Sequence, residues 1–280
     1  MARQRNTSVS GCEPGDELAR WLATPPGRYL LEWEQSRVDQ VVVDMFGFHA
    51  LQLGLCQLDA LRGNRMPHRW CASDRCGPAA GTEAHGAATT AVALHCDFDA
   101  LPFPTSSIDL VVLPHTLEFA RDAHRTLREV ERVLVPEGRV VIFGFNAASL
   151  WGLRQRIGRL RMRAGGRADP FLPRGGEFLG YWRLRDWMRL LGFELEGGRF
   201  GCYAPPLASQ RWLQRFAWMD RIGDRWWPVL GAVYSVVAVK RVRGMRLVGL
   251  ARDGRRRTQA APAVVANRRR EAQVTETTEP

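Results

Sequence analysis

Ile108-Asp109-Leu110-Val111-Val112-Leu113-Pro114, then Asp122 to Leu134, then Arg139-Val140-Val141-Ile142-Phe143-Gly144-Phe145 is the stretch that decides the fold. The first run is apolar almost throughout, the pattern of a parallel strand covered on both faces. Asp122 to Leu134 sets Leu127, Val130 and Leu134 on one helical face with charges opposite, an amphipathic helix. Pro136-Glu137-Gly138 then turns the chain into the second apolar run. Strand, helix and strand in that order predict a right-handed crossover within a parallel sheet.

Toward the N-terminus the same alternation continues. Ala91 to Cys96, His68 to Ser73 and His49 to Gly54 read as short strands, with a short helix from Leu55 to Leu61. Asp74 to Thr90 is rich in Gly and Ala and reads as a loop. Leu30, Leu31, Trp33, Val38, Val41, Val42, Met45 and Phe46 recur at helical spacing, and Gly47 can end that helix. Residues 1–27 are polar and close on the turn signal Thr24-Pro25-Pro26-Gly27.

Toward the C-terminus, Leu150 to Leu160 predicts a helix with Arg154, Arg156, Arg159 and Arg161 on its exposed side. Residues 162–180 read as a lid or long loop. Helices follow at Leu184 to Leu191 and Gln210 to Ile222, with strands at Phe193 to Glu196 and Tyr234 to Val242. The composition beyond Leu250 predicts disorder. The sum is an α/β fold with a mostly parallel central sheet flanked by helices.

Composition narrows the partners. The 280 residues carry 40 basic against 29 acidic side chains, a net charge of +11, and all but Lys240 of the basic residues are arginine. Residues 1–151 nevertheless sum to −4, while 152–189 and 240–280 carry +7 each. The sheet-forming half is therefore no basic nucleic-acid platform. The six cysteines, at 12, 56, 71, 76, 96 and 202, show no zinc-type spacing, and reduced thiols are expected. No metal site is expected. No apolar run approaches the ~20 residues of a spanning helix. The N-terminal stretch has no apolar core after its arginines, so a cytoplasmic location is expected.

The window from Asp97-Phe98-Asp99-Ala100-Leu101-Pro102-Phe103 through Ile108-Asp109-Leu110-Val111, His115 and Leu127-Arg128-Glu129-Val130-Glu131-Arg132-Val133-Leu134 to Pro136-Glu137-Gly138 resembles a known family. It is similar to the class I S-adenosylmethionine (SAM) dependent methyltransferases, in the group that includes quinone-biosynthesis enzymes. The resemblance implies a Rossmann-like sheet with SAM across the carboxyl ends of its strands. It further implies that Asp97 accepts from the adenine amino group and that Phe98 lies at the adenine ring. On this reading residues 28–249 form the methyltransferase domain, 28–150 binding SAM and 151–249 facing the acceptor. Residues 1–27 are an N-terminal extension and 250–280 a basic tail.

The family's glycine-rich loop is reduced here to one glycine, with Gly47 and Gly54 as rival registers. The ribose-binding acid lies about 20 residues beyond such a glycine. From Gly54 that distance reaches Asp74; from Gly47 it reaches Pro67 and His68. Gly54 is therefore preferred, with Leu55 beside it and Asp74 as the ribose ligand. Pro114, the last residue of the strand that begins at Ile108, and His115, just past it, complete the expected SAM site. His115 is also the one histidine placed to act as a general base. Aromatic residues concentrated in the C-terminal half suit a small-molecule or lipid-like acceptor, and peripheral membrane contact stays open. Two rivals remain: a non-catalytic SAM-binding or regulatory protein, and a nucleic-acid methyltransferase, which lacks its usual motif after the strand at Ile108.

Overall fold

A computed structural model describes residues 14–74, 92–165, 171–173, 176–216 and 218–242. Seven strands form one sheet: β1 His49–Leu53, β2 His68–Ser73, β3 Leu94–His95, β4 Ile108–Pro114, β5 Leu134–Phe145, β6 Phe193–Gly201 and β7 Val233–Lys240. Their order is β3-β2-β1-β4-β5-β7-β6. The first five run parallel, and β7 pairs antiparallel with both β5 and β6.

Both faces of the parallel core are apolar, and the two-residue period separates them. Leu51, Leu53, Val111 and Leu113 face the layer containing Leu127, Val130 and Val133 of α4 (Ala123–Val133) and Leu184 and Met188 of α6 (Tyr181–Leu190). Ala50, Leu110 and Val112 face Val38 and Val42 of α2 (Pro25–Val42). Asp122 caps α4 by accepting from the amides of His124 and Arg125. His49, His68 and Trp70 stack with rings 5.0–5.9 Å apart.

Five local expectations are corrected. Pro25 and Pro26 open α2 rather than forming a turn, because a first-turn residue has no helical N–H bond to lose. Before it lies a helix the polar composition hid, α1 (Pro14–Leu22), held down by the buried Leu18 and Leu22. Residues 55–61 form turns, not a helix. Pro136–Gly138 lies within β5 as an irregularity: Glu137 adopts φ 64° and the pairing shifts register between Ile108 and Leu110. The expected helix at 210–222 is two, α7 (Gln210–Arg215) and α8 (Trp218–Trp226). The loop read at 75–90 and the tail at 250–280 lie outside the described residues, as does part of 162–180.

α3 (Thr116–Phe119) follows β4 directly, and α5 (Leu150–Arg163) follows β5. Asp109 anchors the opposite end of the sheet, accepting from the amides of Phe48 and His49 at 2.9 Å each. Gly47 sits against it, where a Cβ would come within 2.5 Å of the Asp109 side chain. That is the physical role of the rejected glycine register.

Candidate functional site

The carboxyl ends of β1 and β4 meet at Gly54. It takes φ 76°, which favours glycine, and its amide donates to Ala72 in β2 at 2.8 Å. A Cβ there would come 3.3 Å from Thr116 Oγ1 and 3.8 Å from the Phe98 ring. Thr116 Oγ1 in turn donates to the Leu53 carbonyl at 2.5 Å. Gly54, Phe98 and the Pro114–Thr116 corner are thus brought together across some 60 residues of sequence.

The loop beyond Gly54 is shaped by a side chain. Buried Gln52 donates through Nε2 to the carbonyls of Leu55 at 3.0 Å and Leu58 at 2.7 Å, and more distantly to Gly54 at 3.4 Å. Its Oε1 accepts from the Ala60 amide at 3.0 Å. Leu55 accordingly holds a left-handed φ of 31° and packs into the core beside α2. Cys56 in this loop lies 3.6 Å, sulfur to sulfur, from Cys71 in β2.

One strand further out, Asp74 and Asp97 follow the paired ends of β2 and β3, and both are exposed. They flank Cys96: burial first, then the charges of Asp97 and Asp74, push its thiol pKa up. Asp97 accepts from the Asp99 amide at 3.0 Å and so also shapes its own turn.

His115 lies deeper than its sequence position suggests. It is 1% exposed, with φ 55°. Its Nε2 lies 2.7 Å from Glu34 Oε1 and its Nδ1 2.8 Å from Glu118 Oε2. Glu118 Oε1 accepts from the Phe145 amide at 2.6 Å. Burial opposes a charged ring, but the Glu34 charge and the bonds to Glu118 and Glu34 outweigh it and push the His115 pKa up to about 10. Glu118 is itself raised, chiefly by burial. Both ring nitrogens are engaged by carboxylates, an arrangement that favours the protonated ring.

Glu34, Gln52 and Thr116 were not singled out from the sequence. Glu34 had a readable signal: Leu30, Glu34, Val38 and Val42 are all buried on one face of α2, so a carboxylate interrupts an apolar stripe. Such an acid needs a buried partner.

A family described as "Methyltransferase domain" matches residues 67–142, which span β2 to β5. The uncharacterized protein YafS of Escherichia coli (strain K12) is 31% identical over 181 residues, covering 64% of this chain and 67% of that protein. The chain belongs to the class I SAM-dependent methyltransferases. A malonyl-[acyl-carrier protein] O-methyltransferase of Halorhodospira halophila is 34% identical over 110 residues, covering 33% of this chain and 37% of that enzyme. Among solved folds, the methyltransferase partner of the Trm112 activator from Haloferax volcanii superimposes with a TM-score of 0.51 at 17% identity, covering 82% of this chain and 98% of that one. A SAM-dependent methyltransferase of Thermotoga maritima gives 0.50 at 16% identity, covering 81% and 95%.

As a methyltransferase of this class the protein uses SAM as its methyl donor. The sheet edge fits such a donor: a Cβ-free left-handed glycine, a buried aromatic ring beside it, and two exposed carboxylates along the adjoining strand ends. Among the described residues, no helix is long and apolar enough to cross a membrane.

Proposed function

We propose that the protein transfers the methyl group of SAM to a small-molecule or lipid-like acceptor. Gly54, Leu55, Asp74, Asp97, Phe98, Pro114 and His115 form the donor site in this reading. The observation that carries it is the convergence of Gly54, Phe98 and Thr116 at the carboxyl edge of the parallel strands, where the sheet offers free backbone groups. When bound, SAM would supply a sulfonium methyl: the acceptor's nucleophile bonds to the methyl carbon in line as the carbon–sulfur bond breaks and the neutral thioether leaves, so positioning contributes much of the acceleration.

Asp97 accepts from the adenine amino group, Phe98 packs on the adenine ring, and Asp74 accepts from the ribose hydroxyls. Gly54 and Leu55 present backbone to the methionine end. His115 holds the β4–α3 corner in place instead of moving a proton to or from the acceptor, since both its nitrogens are already engaged by Glu34 and Glu118. The acceptor side is supported by a cavity of about 200 Å³ lined by Ala147, Gly152, Gln155, Arg156, Arg159 and Phe178. It lies beyond Phe145, whose ring contacts both His115 and Phe178. Its two arginines favour an acceptor that carries an acidic group.

Calorimetric titration with SAM and with its demethylated product tests the reading. Asp97→Ala is expected to weaken both by roughly tenfold or more, with melting unchanged, because a hydrogen bond to a desolvated amino group is lost. Binding of neither ligand by the parent protein would overturn the function, and unchanged affinity in Asp97→Ala the adenine assignment.

A further inference from the structure

α5 turns its apolar side outward. Leu150, Leu153, Ile157 and Leu160 are 43–62% exposed, and at about 100° per residue they share an arc of about 80°. The helix is seated by the opposite side, where Trp151, Gly152 and Gln155 are buried. Trp151 Nε1 donates to the Ala204 carbonyl at 2.8 Å, and Gln155 exchanges two hydrogen bonds with Leu172. These contacts fix the rotation of the helix, so the outward stripe cannot roll inward.

Arginines border the stripe on both sides, Arg154 and Arg161 along one edge and Arg156 and Arg163 along the other. The helix holds five arginines and no acidic residue. A second exposed apolar row lies on α8. Trp218, Ile222 and Trp226 of α8 recur at i, i+4 and i+8, with Trp226 70% exposed and Arg221 and Arg225 alongside. Asp220 and Gly223 seat that helix, Asp220 accepting from Tyr29 Oη and the Tyr203 amide. Just beyond it, Trp227, Val229 and Leu230 are also exposed. Asn146, four residues before α5, donates to the carbonyls of Val229 and Gly231, and Arg154 donates to that of Pro206. The two rows therefore belong to neighbouring parts of the surface.

We infer that α5 and α8 form a docking surface for a bilayer rich in anionic phospholipid. Leucine, isoleucine and tryptophan enter the boundary between headgroups and acyl chains, while flanking arginines meet lipid phosphates. Nucleic acid would satisfy the arginines but leave the leucine stripe in water. A second copy docking through α5 would set five arginines against five. A bilayer satisfies both features at once.

The test is co-sedimentation of the full chain with extruded vesicles of equal parts phosphatidylglycerol and phosphatidylcholine, against pure phosphatidylcholine. Binding to the anionic vesicles alone, falling as salt rises, is expected. The double variant Leu153→Glu with Ile157→Glu is expected to lose about tenfold or more in vesicle affinity while melting and SAM titration stay unchanged. A parent protein that ignores anionic vesicles, or a double variant that binds like the parent, overturns the surface. So does a change of oligomeric state in the variant with no change in vesicle binding. The SAM titration is a separate readout, so the surface and the methyl-donor reading fail independently.

Discussion

His115 is held as a cation between Glu34 and Glu118, and that has a cost and a pH signature. A folded-state pKa near 10 lies above the ordinary histidine value of 6.5, so the proton bound in the native state stabilises it. That contribution is complete below pH ~6.5 and is lost as pH rises through ~10. Urea midpoints are expected to fall over this interval in the parent, and His115→Phe is expected to flatten the fall. The variant itself should lose about 3–5 kcal/mol, because it leaves two buried carboxylates without their cation. A parallel pH dependence in the two proteins would exclude the charged ring. The corner was legible as a position, just past an apolar strand. Its chemistry was not, because Glu34 lies 81 residues away on a helix that only the fold brings near.

The β1–α2 neighbourhood shows what an element can hide. The runs of β2 and β4 were readable at their observed boundaries and that of β1 to within one residue, since two-residue periodicity and burial on both faces leave a local mark. The segment after Gly54 left no such mark. Its spacing suggested a helix, yet Gln52 takes three of its carbonyls and one amide, and the backbone forms turns around that one side chain. On the proposed reading this also accounts for a donor loop with a single glycine, because a buried amide does the shaping that further glycines would otherwise do. Gln52→Leu keeps the volume but strands those backbone groups, so about 3 kcal/mol of stability should be lost. SAM affinity should fall with it, read by titration well below the variant's melting point. A stability loss with SAM affinity intact would separate the loop's fold from its binding role.

At the scale of the molecule, the antiparallel pair β6–β7 joins the parallel half through the β5–β7 ladder, and the sole lysine adds a side-chain tie at its end. Lys240, at the end of β7, is buried and donates to the carbonyls of Glu131 at 2.6 Å and Leu134 at 3.0 Å, with Glu131 Oε1 at 2.9 Å. Three acceptors around one point match the three N–H groups of an ammonium. A guanidinium is planar, bulkier and spreads its donors in a fork, so it cannot meet the same three atoms. In a chain where every other basic residue is arginine, this geometry explains why one position differs. Lys240→Arg, ordinarily conservative, is therefore expected to cost about 1–2 kcal/mol. Lys240→Met, which keeps the stem and drops all three donors, should cost about 2–3 kcal/mol. Urea unfolding of the two variants beside the parent checks this. Equal stability of Lys240→Arg and the parent would mean that charge alone, not the compact head, joins the two halves at the α4–β5 junction.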